Sequence, residues 1–276
     1  MAEIDARAFD EYEAAGWERV ADHYERSWSP FTSQAIGPLL DAAHVDSGMS
    51  VLDVGTGAGD AAAQAAARGA KATGVDIAAG MVEVATRLHP EATFVQASVT
   101  ELPFVDESFD AAFGNIVILH VGEPDRATRE LARVLVPGGK LALSTWDAAE
   151  QSPFFSALLG AVADAEIPAQ SEIPPGPSFF RFADEAAFRS LFEGAGFDDV
   201  DVDTFTVEFP VQSPSELIDA LADGTVRTGA LLRSADDHQR RRIEESLAAR
   251  LAPWRRDDRY AVPAPVKIAS GRLPTT

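Results

Sequence analysis

The sequence contains no cysteine. That excludes disulfides, thiolate metal sites and a thiol nucleophile. Basic residues are also scarce: 23 Lys and Arg stand against 44 Asp and Glu, a formal net charge of −21. A protein that grips nucleic acid is expected to present a basic face. The dense basic stretches, Arg240 to Arg242 and Trp254 to Arg259, lie among acids and read as solvated helix faces. Nucleic acid is therefore not expected as a partner. No apolar run approaches the ~18 residues of a membrane span. The first residues, MAEIDARAFDEYEAAG, lack the basic-then-apolar order of a secretory signal. Together these absences lead us to expect a cytoplasmic protein without a membrane span. The acidity itself suits solubility or a salt-adapted surface and says nothing about fold.

An apolar content of 46% over 276 residues supports a real core, in one large domain with a lid or in two small ones. The ten residues VLDVGTGAGD, Val51 to Asp60, are the most informative. They read as a buried strand that ends in an acid and enters a glycine turn, followed by the Ala-rich helix AAAQAAAR. Gly55, Gly57 and Gly59 permit a tight turn and close approach of backbone to a ligand. Such a turn sets backbone N–H groups and a helix N-terminus at the carboxyl edge of a parallel sheet, where open α/β sheets bind nucleotides. Nicotinamide dehydrogenases use the same device with an acid about 20 residues on, and Asp76, at the end of KATGVD, suits both. The spacing G-T-G-A-G, however, is not the G-x-G-x-x-G that suits a pyrophosphate.

Five apolar strands, VLDV, KATGVD, TFVQ, FDAAFGN and KLALSTW, are separated by helices, as a doubly wound parallel sheet requires. In DRATRELARVL, Leu131, Val134 and Leu135 share a face, and PGG ends the segment. The N-terminal region reads as amphipathic helix broken at WSPFTS. SPFFSALLGAVADA reads as a helix, IPAQSEIPPGPSFF as a Pro-rich surface loop, and ADEAAFRSLFEGAGF as a helix ending at Gly194 and Gly196. DVDVDTFTVEFPV alternates as a sixth strand. Ser213-Pro214-Ser215-Glu216 is a helix start, with a capping residue, Pro in the first turn and Glu three residues on. Two helices, 214–223 and 236–252, are expected next, and YAVPAPVKIASGRL reads as a further strand.

Two further segments, FVQASVTELPFVDESFDAAF and ELARVLVPGGKLALSTW, complete a series with the glycine turn. In this order they resemble the class I S-adenosylmethionine-dependent methyltransferases, whose fold is a seven-stranded α/β sheet. The small-molecule enzymes of ubiquinone and menaquinone biosynthesis are the most similar. The strong match spans residues 46–147, and FRFADEAAFRSLFEGAGFDDVDV extends a weaker one to residue 203. The resemblance implies an α/β, doubly wound, Rossmann-like seven-stranded sheet with an antiparallel last strand. It also implies a helical N-terminal cap (1–45), a cofactor-binding core (46–212), an inserted helical lid (213–256) and a returning strand (257–276). The implied cofactor is S-adenosyl-L-methionine, with S-adenosyl-L-homocysteine as product.

By the same resemblance Asp53, Gly55, Thr56, Gly57 and Gly59 hold the methionine end, with Asp53 meeting the ammonium directly or through water. Asp76 accepts both ribose hydroxyls, since a carboxylate offers two oxygens to a vicinal diol. Ile77 and Met81 pack on adenine or ribose. Ser98 stands where the family often has an acid for the adenine amino group, and the Val99 N–H serves the ring. Asn115, at the end of the fourth strand, passes from cofactor to substrate; the Asn/Asp-Pro-Pro-aromatic turn of nucleic-acid amino methyltransferases is missing there. The lack of cysteine also disfavours pyrimidine C5-methylation and cluster-based radical chemistry. His120 is the candidate general base, its ordinary pKa being near neutrality; the plainer reading is a loop histidine bound to backbone. Asp147 lacks the adjacent Asp-Asn pair of magnesium-dependent catechol enzymes, so no metal is expected.

Tyr24, Trp28, Phe31, Trp146, Phe179 and Phe180 are expected around the acceptor opening, or in ordinary lid packing. Arg227 and Arg233 either meet an acceptor carboxylate or phosphate or form surface ion pairs. The expected function is methyl transfer to the oxygen or carbon of a small, mostly apolar acceptor. The alternatives are a nicotinamide dehydrogenase and a protein of the same fold that keeps the cofactor for a binding or cyclisation role. Oligomeric state is left open.

Overall fold

The computed structural model describes residues 5–168 and 173–275. Part of the Pro-rich loop, residues 169–172, and the first four residues of the N-terminal segment lie outside the described residues. One mixed sheet holds β1 Ser50–Val54, β2 Lys71–Asp76, β3 Thr93–Gln96, β4 Phe109–Gly114, β5 Leu135–Trp146, β6 Asp198–Val211, β7 Arg255–Arg256 and β8 Arg259–Arg272. Its order is β3-β2-β1-β4-β5-β8-β6, with β7 paired to β8 alone. β3, β2, β1, β4 and β5 pair in parallel, and β8 runs antiparallel between β5 and β6. The expected seven-stranded architecture is present, with the two-residue β7 as an addition.

A period of two decides which face each strand residue serves. Leu52, Val54, Ala112, Leu141 and Leu143 pack on one face of the sheet. Val51, Ala111, Phe113 and Ala142 pack on the other. Both faces are covered, as parallel sheets require. The helices are α1 Ala6–Ser27, α2 Ser29–Thr32, α3 Ile36–Ala42, α4 Asp60–Ala67, α5 Ala79–Leu88, α6 Pro124–Val134, α7 Pro153–Asp164, α8 Glu185–Glu193, α9 Pro214–Gly224, α10 Arg227–Arg233 and α11 Asp237–Leu251. None among the described residues is long and apolar enough to cross a membrane.

Several elements differ from the sequence reading. The break at WSPFTS is only a kink: Trp28 caps α1, and α2 restarts at once with Pro30 in its first turn. Proline is tolerated there because its missing N–H has no intrahelical acceptor. No helix separates β3 from β4. Residues 97–108 are irregular, and Arg133 of α6 holds them by donating to the carbonyls of Phe104 and Leu102 at 2.8 and 3.1 Å. β5 begins at Leu135, eleven residues before Trp146, with a register shift between its pairings to Phe109 and Ala111. Between β6 and β8 there are three helices instead of two, α10 being unexpected. α9 packs on α1, and α11 packs on α7 and α9.

Candidate active site

A cleft opens at the carboxyl ends of β1, β2, β3 and β4, where the strand order reverses, and α1 covers it. That reversal is where open α/β sheets bind ligands. Gly55 and Gly57 line one wall, both at positive φ (62° and 53°). A Cβ on Gly55 would meet Val117 at 2.2 Å, and one on Gly57 would meet the Tyr24 ring at 3.2 Å. The turn is thus a cradle that side chains would fill. Gly59, at φ 91°, starts α4 and lies behind the wall, where a Cβ would strike His89 and Phe94 at 2.9 Å.

Asp76 lines the cleft beside this turn. Its Oδ2 accepts the Gly57 N–H at 2.9 Å, and its Oδ1 accepts the Ala78 N–H at 3.0 Å. Each oxygen keeps a lone pair for a further donor. Burial pushes the Asp76 carboxyl above its ordinary range, and these N–H groups oppose the shift. Ile77, Met81, Ser98 and Val99 continue the wall. The Ser98 hydroxyl is engaged locally, 2.8 Å from the Thr100 hydroxyl. The Val99 N–H has no protein partner among the described residues. A glycine cradle, a carboxylate with spare lone pairs and a free N–H along an apolar wall fit the donor set that an adenosine cofactor with a vicinal diol requires.

Three expected cofactor residues stand elsewhere. Asp53 is 1% exposed and does not line the cleft. Its Oδ2 accepts the Thr56 hydroxyl at 2.6 Å and the Ala62 N–H at 3.0 Å. Asp53 and Thr56 therefore brace the turn from beneath, with Gly59 at the helix start. This corrects the expectation that the Asp53 carboxylate faces the ammonium. Burial pushes the Asp53 carboxyl up to about 7, partly offset by these donors. Asn115 lines the cleft, and its side chain is engaged at both ends: Nδ2–H donates to Thr32 O at 3.0 Å and Oδ1 accepts from Ser144 at 2.8 Å. It ties α2 to the end of β4. The next residue, Ile116, holds a positive φ of 56°, a conformation a β-branched residue adopts only when its surroundings impose it.

At the other end of the cleft stand Tyr24, Trp28, His120, Asp10, Glu13 and Trp17. His120 Nδ1 is 2.9 Å from Glu13 Oε2, and Trp17 Nε1–H donates to the same oxygen at 3.1 Å. Burial, opposed by Glu13, holds the His120 imidazole below its ordinary range. Nε2 makes no hydrogen bond to protein among the described residues. The Tyr24 hydroxyl is 3.3 Å from Thr32 Oγ1, and burial pushes it up to about 12. Asp10 accepts the Gly122 N–H at 2.7 Å. Glu13, Trp17 and Asp10 escaped the sequence reading. Their one signal was spacing: Phe9, Glu13, Gly16 and Val20 form a single buried stripe of α1, so an acid sat on an apolar face.

The other acceptor candidates do not line the cleft. Trp146 is 2% exposed and packs at its ring edge on Phe155 and Phe209, as core. Phe31 and Phe180 pack on the same cluster. Phe179 contacts His120 edge-on, with ring centroids 6.1 Å apart. Arg227 points neither at an acceptor nor at solvent. Its Nε is 2.9 Å from Glu13 Oε1, Nη2 donates to Leu119 O at 3.1 Å, and its guanidinium lies over Phe9 and Phe179. Arg233 donates to the Ala222 carbonyl. Asp147 lies 3.7 Å from the Lys267 ammonium. Among the described residues, no group of three or more His, Cys, Asp or Glu side chains could hold a metal ion.

Residues 52–143 match a family model described as a methyltransferase domain. The demethylmenaquinone methyltransferase of Renibacterium salmoninarum is 35% identical over 116 residues, covering 42% of this chain and 49% of that protein. The chain spans about half the length of the curated relatives that it matches. Among solved structures, the [4+2]-cyclase SpnF superposes with a TM-score of 0.58 at 20% identity, over 100% of this chain and 98% of that one. The YcgJ protein of Bacillus subtilis gives 0.56 at 20% identity, over 87% and 98%. At such identities the likeness establishes the fold.

Proposed function

We infer that this protein, whose core is a class I methyltransferase domain, transfers a methyl group from S-adenosylmethionine to a small, mostly apolar acceptor. The observation that carries the reading is the convergence of the glycine cradle, Asp76 and His120 on one cleft. Gly55 and Gly57 would hold the methionine end, Asp76 the ribose diol, and Ile77, Met81 and the Val99 N–H the adenine. When bound, the sulfonium supplies an electrophilic methyl and its own leaving group. The protein's part is to align the acceptor and exclude water. Trp17, Tyr24, Trp28, Ile116, Val117 and Val121 form the apolar walls that do so. No Lys or Arg is among the described lining residues, which favours an acceptor without an anionic group in the cleft. A neutral His120 takes the proton of an acceptor hydroxyl or enol on Nε2. The demethylmenaquinone methyltransferase among the relatives makes quinones and hydroxyaromatic compounds the first acceptors to try. The reading retains a cytoplasmic, small-molecule role without nucleic acid.

Calorimetry with S-adenosylmethionine and S-adenosylhomocysteine, with NAD and NADP as controls, tests the cofactor. Micromolar binding of the first pair alone is expected. Asp76→Ala should weaken it at least tenfold, ~1.4 kcal/mol; unchanged affinity rejects the diol assignment. His120→Ala should lower turnover without altering cofactor affinity. A second reading, cofactor retention without methylation, draws on the likeness to the [4+2]-cyclase. Binding without release of S-adenosylhomocysteine across the acceptor series would favour it.

A further inference from the structure

We propose that Glu13 is a positioning residue for His120: it fixes the imidazole as the Nδ1–H tautomer, presenting Nε2 to the cleft, while Arg227 holds Glu13 from α10. The use of Nε2 on an acceptor rests on the methyl-transfer reading; the tautomer rests on the geometry alone.

Glu13 is 2% exposed. A carboxylate this deep is unfavourable unless paired, and its partners define its task. A carboxylate only accepts, so the imidazole nitrogen 2.9 Å from Oε2 must carry the proton. Nε2 of the neutral ring is then left with its lone pair. The Trp17 N–H on the same oxygen fixes the carboxylate plane. Trp17 also meets the His120 ring edge-on at 5.0 Å, and Phe179 meets it at 6.1 Å, so the ring is held between them.

The other oxygen, Oε1, faces Arg227 Nε at 2.9 Å. The N–H is not aligned with that oxygen, so the contact is ionic more than a directed hydrogen bond. Arg227 is itself fixed by the carbonyl of Leu119, the neighbour of His120, and by the Phe9 and Phe179 rings at 5.2 and 5.1 Å. Three distant segments, α1, the turn at Ile118–His120 and α10, thereby build one base. The charge balance matters as much as the geometry. Glu13 alone would hold His120 as an imidazolium; burial opposes that, and the Arg227 cation adds to the opposition. Among the described residues, Asp10, bound to the Gly122 N–H, and Tyr12, close to Arg227, are further titratable groups facing the cluster.

Imidazole ¹⁵N NMR of the protein, alone and with S-adenosylhomocysteine, reads tautomer and titration without an acceptor. His120→Asn identifies the His120 signals among the five histidines. The wild type is expected as the Nδ1–H tautomer at neutral pH. Glu13→Gln, which keeps the side-chain shape, should reduce that tautomer several-fold and lower the proton affinity of His120 about tenfold. Arg227→Gln should raise that affinity, because Glu13 loses its opposing cation. A Glu13 that merely packs would leave tautomer and titration unchanged in Glu13→Gln, and this result overturns the proposal. So does a wild-type His120 found as the Nε2–H tautomer, a measurement that needs no variant to fold. Absence of S-adenosylhomocysteine binding with the expected tautomer would sink the methyl-transfer reading and leave the positioning role standing.

Discussion

Asp53 and Asp76 end adjacent parallel strands, yet they face different surroundings. Asp76 looks into the cleft; Asp53 is sealed beneath the glycine turn. The sealed carboxyl gives the clearest prediction at this scale. Its ordinary pKa is 3.8, and burial pushes it to about 7 in the folded protein. Between those values the folded state holds a proton that the unfolded state has released, so this site's contribution to stability falls as pH rises from about 4 to about 7. Asparagine does not titrate. The stability advantage of wild type over Asp53→Asn, from urea unfolding, should therefore shrink between pH 4 and pH 8, by an upper bound of about 4 kcal/mol. A constant difference would mean that the carboxyl is solvated. The glycine-turn wall of the cleft was legible in the sequence because one contiguous turn and the next strand end supply most of it. The His120 end was not. Glu13 and His120 are 107 residues apart and Arg227 and Leu119 are 108 apart, and no local pattern encodes either contact. Arg227 in particular reads from the sequence as a surface cation, because nothing near it announces a buried carboxylate in α1.

At the scale of elements, legibility follows how local the determinants are. The Ser213 start of α9 was readable because cap and partner are three residues apart: Ser213 Oγ accepts the Glu216 N–H at 3.1 Å. The strands β1, β2, β4 and β5 were readable because burial on both faces makes them continuous apolar runs. The β3–β4 crossover was not, since Arg133 of α6 orders it through backbone carbonyls instead of helical hydrogen bonds. α10 escaped because seven residues containing Thr228 and Gly229 carry little helical signal. Its order comes from packing on α9 and from Arg227 reaching the turn before α6. Ser213→Ala should cost α9 about 1 kcal/mol. Because α9 packs on α1 over the cleft, the loss should appear as roughly fivefold faster amide exchange in the first turns of α9, with β1 and β4 unchanged. Uniformly faster exchange would mean that α9 and the sheet unfold as one unit.

The whole molecule carries a net charge of −21, and its cleft repeats the bias: Asp10, Glu13 and Asp76 line it, with no Lys or Arg among the described lining residues. This field distinguishes two ligands that differ by one methyl and one charge. S-adenosylmethionine bears a sulfonium cation; S-adenosylhomocysteine bears a neutral thioether in its place. Contacts to adenine, ribose and the amino-acid end are common to both, so the ratio of their affinities isolates the interaction of the cation with the protein's charge. At 0.1 M salt the Debye length is about 10 Å and at 1 M it is about 3 Å. Carboxylates beyond the first layer of the cleft therefore act on the sulfonium only at low salt. The affinity ratio of S-adenosylmethionine to S-adenosylhomocysteine should fall, on the order of two- to fivefold, between 0.05 and 1 M NaCl. The homocysteine affinity alone should change little. The same screening relieves repulsion among surface acids, so the thermal midpoint of the free protein should rise over that range. Parallel salt slopes for the two ligands would show that the acidic surface acts on the stability of the fold alone and leaves the sulfonium to short-range contacts.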